Sequence, residues 1–251
     1  MTPERDDAAT VPPYELIKDI PDRAMAIFAH PDDGEIGAGG VASVWAAAGC
    51  EVTFVVCTSG SSGSNDRSMD SERIVPIRQA EQEAAAEMTG VSHVEFLGHP
   101  DGGLEDDRVF RGEIVRLVRK YRPHTILTHD PNRIQGFNHR DHRMTGQVVQ
   151  DAVYPYARDH LHFPEQITDE GLEPHKVRRV FLWGSDNPDI IIDTSAGIQR
   201  HIDALYRHES QVGGLRGGLN VGERIRERGA QAANGYPFEY GQTYRQLIAR
   251  A

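Results

Sequence analysis

Two groups of side chains in this 251-residue chain are of types that do chemistry. The first is His30-Pro31-Asp32-Asp33-Gly34-Glu35, directly after the apolar run Ala24-Met25-Ala26-Ile27-Phe28-Ala29. The second is His129-Asp130-Pro131 with Asn138-His139-Arg140-Asp141-His142, after the strand-like run Thr125-Ile126-Leu127-Thr128. Apolar runs this short read as strands covered on both faces, and open α/β sheets bind their ligands beyond the carboxyl ends of their strands. Taken singly, each group is a weak signal. An Asp-Asp pair after a strand equally serves to cap a helix, and a His-x-x-His pair arises readily in a chain with 12 histidines. Together, at two strand ends, they offer a His-Asp-His set with one position left for water. That open arrangement belongs to catalytic rather than structural zinc, with one ion per chain.

The elements that must carry these groups can be read from periodicity. Ile36, Gly40, Val41, Val44 and Ala48 recur at helical spacing, and residues 52–57 make a second buried strand. The Ser- and Gly-rich stretch 58–71 is either a substrate lid or a disordered loop. A helix over 73–88 is expected to bury Ile77, Ala80, Ala84 and Met88, with Arg78 and Glu81 as a surface ion pair. A third strand over 93–97, a helix on Phe110, Ile114, Leu117, Val118 and Tyr121, the fourth strand and a helix on Met144, Val148 and Ala152 follow. Strand and helix alternate four times, which predicts a Rossmann-like, doubly wound and mostly parallel α/β sheet flanked by helices. A C-terminal extension adds strands over 178–183 and 190–192 and a helix on Ile198, Ile202 and Leu205. The expected organisation is a polar arm over 1–22 and a single domain over 23–251, with its core in 23–155 and the extension in 156–251.

Composition narrows the function classes. A net charge of −11 argues against a nucleic-acid or anionic-membrane binder, since both reward a basic face. Cys50 and Cys57 bracket one apolar run too long to bridge and read as buried thiols in a reducing compartment. No stretch resembles a signal peptide or a membrane span, so a cytoplasmic protein is expected. Gly37-Ala38-Gly39-Gly40 could suggest a dinucleotide-binding oxidoreductase. Those glycines fall inside a helix, however, and Cys57-Thr58-Ser59 stands where a ribose-binding acid belongs. A zinc-binding protein without turnover is disfavoured, because Asp32 would then be an idle buried carboxylate.

The motifs Ala29-His30-Pro31-Asp32-Asp33, Arg78-x-x-Glu81, Leu97-Gly98 with Pro100-Asp101-Gly102, Arg122-Pro123, Thr128-His129 and His139-x-Asp141-His142 resemble, in order, those of the LmbE-like (PIG-L) zinc-dependent N-deacetylases. Gly171-Leu172-Glu173-Pro174-His175 and His208-Glu209-Ser210-Gln211 are similar to segments of the diacetylchitobiose deacetylase branch. Arg140 departs from the pattern, which often has Pro there, and Gln242-Thr243-Tyr244-Arg245 replaces an Ala-Glu-aromatic-Arg segment. The resemblance implies zinc held by His30, Asp33 and His142, with Asp32 as general base. It implies His139 as the group stabilising the tetrahedral intermediate and Asp141 as its partner. Arg78 and Asp101 are implied on the substrate side; His208 is either a further contact or a surface histidine. It also implies removal of an N-acyl group, N-acetyl above all, from an amino sugar or small glycoconjugate, with a larger amide such as a thiol conjugate as the alternative. The tail after Gly213 has too little apolar content to cover itself, so a homo-oligomer is expected, a hexamer by comparison with relatives.

Overall fold

The computed structural model describes residues 13–212 and 220–249. Residues 1–12 of the polar arm and most of the glycine-rich loop 213–222 therefore lie outside the described residues. In chain order the elements are β1 (Glu15–Leu16), β2 (Arg23–Phe28), α1 (Asp33–Ala47), β3 (Glu51–Thr58), α2 (Ser71–Thr89), β4 (His93–His99), α3 (Arg108–Tyr121), β5 (Thr125–His129) and α4 (Arg140–Asp151). The extension contributes α5 (Pro164–Thr168), β6 (Arg179–Trp183), β7 (Ile190–Asp193), α6 (Ile198–Leu205), α7 (Glu209–Val212), α8 (Val221–Ala232) and β8 (Gly241–Ile248).

The strands form one mixed sheet in the order β1-β7-β8-β6-β5-β2-β3-β4. From β6 to β4 every neighbouring pair is parallel, whereas β8 runs antiparallel to both β6 and β7. The chain leaves β2 for β3 and β4 on one side, then returns to place β5 on the other side of β2. That reversal opens a crevice between the carboxyl ends of β2 and β5, the place where doubly wound sheets bind ligands. Both ligand-bearing groups leave the sheet at this crevice.

Two apolar layers hold the sheet. Met25, Ile27, Val55 and Ile126 meet α3 and α4 on one face, while Ala26, Phe28, Phe54 and Leu127 meet α1 on the other. The alternation of neighbours between faces is the period of a strand buried on both sides. Glycines let α1 approach closely: a Cβ on Gly37 would lie 2.4 Å from the Trp183 ring, and one on Gly39 2.7 Å from His201. The glycine run therefore serves packing. Cys50 and Cys57 are free and buried.

Three elements differ from the sequence expectation. In the arm, Glu15 and Leu16 pair with Ile190 and Ile191 to form an edge strand. The segment Gln242-Thr243-Tyr244-Arg245 is the middle of β8, and its Tyr244 is fully buried beneath the Gly37 carbonyl. Helix α2 turns a different face inward, burying Ile74, Arg78, Gln82, Ala85 and Ala86 and leaving Ile77 40 % exposed. Apolar spacing misplaced this face because two of its buried residues, Arg78 and Gln82, are polar and are needed at the crevice.

Candidate metal centre and active site

The turn after β2 is strained in a way that separates its two aspartates. Asp32 has φ 106°, a left-handed conformation that costs a non-glycine residue about 1–3 kcal/mol. Its side chain makes no capping bond to α1, which removes the helix-cap explanation for the Asp-Asp pair. The strain is held by three contacts. Asp32 donates its N–H to Gln82 Oε1 at 3.0 Å, while Arg78 donates to the Pro31 carbonyl at 2.5 Å and lies 3.5 Å from Asp32 Oδ2.

Asp33, by contrast, turns back into the cluster. Its Oδ2 accepts from the His30 N–H at 2.8 Å and lies 3.2 Å from both His30 Nδ1 and His142 Nε2. Tetrahedral bonds of about 2.0–2.1 Å put donor atoms about 3.3 Å apart, so each of these two nitrogen–oxygen pairs has the spacing of neighbouring metal ligands. Groups able to hold a metal ion include His30 with His139 and His142, and Asp33 with His129 and His142.

The other nitrogen of His30 is equally occupied. Its Nε2 lies 3.2 Å from Asp101 Oδ1 and 3.2 Å from Asp141 Oδ2, the carboxylate support that orients a ligating imidazole. Burial alone would lower the pKa of His30, but Asp101 and Asp33 outweigh it and raise it to about 10. Three carboxylates around one ring make an excess of negative charge that favours a cation here. Burial also works against the charge of Asp33, yet His129, His142 and His30 hold it well below the usual carboxylate range. Asp32 moves the other way: burial and the Asp33 charge raise it to about 7, against the pull of Arg78.

Asp141 serves a different partner from the one expected. Its carboxylate is taken up by His30 and by the N–H groups of Gly102 and Leu104, at 2.7 and 3.2 Å. It meets His139 only through its backbone N–H, which donates to His139 Nδ1 at 3.2 Å. That bond puts the proton of a neutral His139 on Nε2 and leaves a donor on the ring. The His139 ring is 4.7 Å from that of His30.

Asp101 joins His30 on one oxygen and accepts from the Ser62 N–H at 3.1 Å on the other. Arg78, 3 % exposed, also donates to the Gly60 carbonyl. Between them they tie the Ser- and Gly-rich loop to the cluster as an ordered wall. His208 is not at the surface: it is fully buried, 3.1 Å from Glu35 Oε2. Glu35 accepts in turn from Gln82 at 2.8 Å, so a buried polar chain runs from His208 to the backbone of Asp32.

His129 was present in the motifs but without a role. Trp183, which can only donate, gives its Nε1–H to His129 Nδ1 at 3.1 Å, while His129 Nε2 lies 3.3 Å from the Ala29 nitrogen, which donates to it, and 3.6 Å from Asp33 Oδ2. Burial lowers the pKa of His129 to about 4, so a neutral ring packs beside Asp33. Its partner Trp183 lies far along the chain, which is why sequence alone did not assign it.

The chain is thus a doubly wound α/β sheet with a His/Asp cluster able to hold a metal ion at its switch point, and comparison with known proteins specifies the family. The family description PIG-L: GlcNAc-PI de-N-acetylase matches residues 25–153, and the chain belongs to that family. It is 31% identical over 199 residues to a diacetylchitobiose deacetylase of Thermococcus kodakarensis, covering 79% of this chain and 72% of that one. It is 33% identical over 178 residues to a mycothiol S-conjugate amidase of Streptomyces coelicolor, covering 62% and 59%. The solved N,N'-diacetylchitobiose deacetylase from Pyrococcus horikoshii superposes with a TM-score of 0.80 at 25% identity, over 92% of this chain and 88% of that one. The protein is thus an enzyme of a deacetylase and amidohydrolase family. Among the described residues, no helix is long and apolar enough to cross a membrane.

Proposed function

We propose that the protein is a zinc-dependent hydrolase removing an N-acetyl group from an amino sugar or small glycoconjugate. The observation that carries this is the pair of imidazole nitrogens 3.2 Å from one Asp33 oxygen, with the uncapped Asp32 carboxylate beside them. His30, Asp33 and His142 would hold the ion. Zinc, when bound, polarises an amide carbonyl and lowers the pKa of water to about 7. Asp32 accepts the proton of the attacking water and delivers it to the leaving amine, a contribution of roughly 10² to 10⁴ in rate. The His139 Nε2–H stabilises the oxyanion. Asp101 and Asp141 fix the orientation of His30, while Gln82 and Arg78 hold the turn that aims Asp32.

The likeness to the Streptomyces coelicolor amidase favours a second reading, cleavage of a larger amide on a thiol conjugate. Screening N-acetylated sugars and thiol conjugates with the zinc-loaded enzyme separates the two. The first reading predicts acetate as the acid released; release only of a larger acid would replace it with the second.

We further propose a homo-oligomer, a hexamer being the form expected. The loop after β5 supports this, since Ile134 and Phe137 are 86% and 104% exposed beside the site and unpartnered apolar groups of this kind mark association surfaces. Sedimentation at micromolar concentration is expected to show an assembly larger than the 27.9 kDa chain, and a monomer would contradict it.

A further inference from the structure

Three carboxylates stand in four residues at the start of α1: Asp32, Asp33 and Glu35. The first two belong to the metal cluster. Glu35 is fully buried, and its two oxygens are taken separately: Oε1 accepts from Gln82 Nε2 at 2.8 Å and Oε2 from His208 Nε2 at 3.1 Å. Gln82 and His208 are fully buried as well, so none of the three can turn to solvent for a partner. The bond to Glu35 is the only one the His208 ring makes among the described residues, its Nδ1 having no partner.

The chemistry of the three groups fixes the direction of each bond. A carboxylate only accepts, so Glu35 requires the amide NH2 of Gln82, and that leaves Gln82 Oε1 to take the Asp32 N–H at 3.0 Å. With the amide turned over, its NH2 would meet the Asp32 N–H donor to donor. The orientation of Gln82 therefore depends on Glu35, which is held from its other side by His208. The bond delivered at the end of the chain goes to a residue that needs holding: Asp32 sits at φ 106° and makes no capping bond to α1. His208 is itself anchored to the same helix as Gln82, because the Ser210 N–H and hydroxyl donate to Glu81 at 2.7 and 2.6 Å.

We propose that His208 is a positioning residue for the catalytic base: through Glu35 and Gln82 it fixes the backbone amide of Asp32, so that the C-terminal extension sets the rate of proton transfer at the metal cluster. This rests on Asp32 being the base in the deacetylase reading above, and the test keeps the two apart. A group acting in this way changes kcat and leaves substrate binding alone. A merely structural one changes only how much of the protein is folded.

Zinc-loaded wild type, His208→Met, Gln82→Met, their double variant and His208→Gln are compared well below their Tm on N-acetylglucosamine, with zinc content measured and rates expressed per folded chain. His208→Met and Gln82→Met are each expected to lose about tenfold or more in kcat with KM unchanged, the signature of a loss felt only in the transition state. His208→Gln, whose amide NH2 replaces the Nε2–H, is expected to stay within about threefold of wild type. The double variant should lose no more than the worse single one, because members of one hydrogen-bonded chain do not add. Crystal structures of the two single variants give a readout independent of turnover, in which Asp32 is expected to leave its left-handed conformation. Full kcat in His208→Met, additive losses in the double variant, or an unmoved Asp32 in Gln82→Met, even where His208→Met does not fold, would overturn the proposal. No acetate from the wild type, with Asp32 displaced in the variants, would remove the deacetylase reading alone.

Discussion

Asp32→Asn is expected to keep its zinc and lose about 10² to 10⁴ in kcat, the scale of a missing general base. Asp33→Asn is expected to lose both the metal and the activity. The two residues are adjacent and chemically identical, so the difference between them is positional. Asp33 turns its Oδ2 onto His30 and His142, whereas the Asp32 carboxylate makes no such contact with either ring and lies 3.5 Å from the Arg78 guanidinium. Removing the Asp33 charge takes away a ligand oxygen, and metal binding depends on deprotonated donors. Removing the Asp32 charge takes away only the proton acceptor. Metal analysis beside steady-state kinetics reads both effects. An empty site in Asp32→Asn with a full one in Asp33→Asn would exchange the assignments.

The second large effect is on stability. His208→Ala is expected to destabilise the fold by about 3–5 kcal/mol, the cost of leaving a buried charge without its partner. At about 2–4 °C per kcal/mol for a chain of this size, Tm falls by about 6–20 °C. The reason is that His208 and Glu35 are both fully buried and 3.1 Å apart. Burial would lower the His208 pKa, but the hydrogen bond and charge of Glu35 outweigh it and raise it. A raised folded pKa favours the protonated form, so the stabilisation is complete below about 6.5, the unfolded value, and is lost as pH rises through the folded value. The Tm difference between wild type and variant should therefore narrow in alkaline buffer. A difference that is small throughout, or constant with pH, would show that the pair does not act this way.

Much of this was legible in the sequence because it is local. The strands β2, β3, β4 and β5 announce themselves as short apolar runs, and His30 to Asp33 follows one of them directly. The crevice between β2 and β5 follows from alternation of strand and helix, which is why two motifs far apart in the chain could be read as one site. What was not legible depends on long-range pairing. Strand β8 is split between polar and apolar residues and is stabilised by neighbours on both sides, β6 and β7. The buried face of α2 was misplaced because Arg78 and Gln82 look like surface residues until Pro31, Asp32 and Glu35 are brought to them. The same holds for Asp141: His139, the partner that the family resemblance implies, accepts from its backbone N–H, while His30 takes its carboxylate.

One metal ion at His30, Asp33 and His142 is proposed to be required for hydrolysis of an N-acetyl amide. The most direct test is to strip the protein with a chelator and return zinc in measured steps while following acetate release from an N-acetylated amino sugar. Release should be absent from the stripped protein, rise in proportion to added zinc, level off at one ion per chain, and not appear in His142→Ala at the same zinc concentrations. Acetate release that persists in the stripped protein, or that zinc restores equally in His142→Ala, would contradict it.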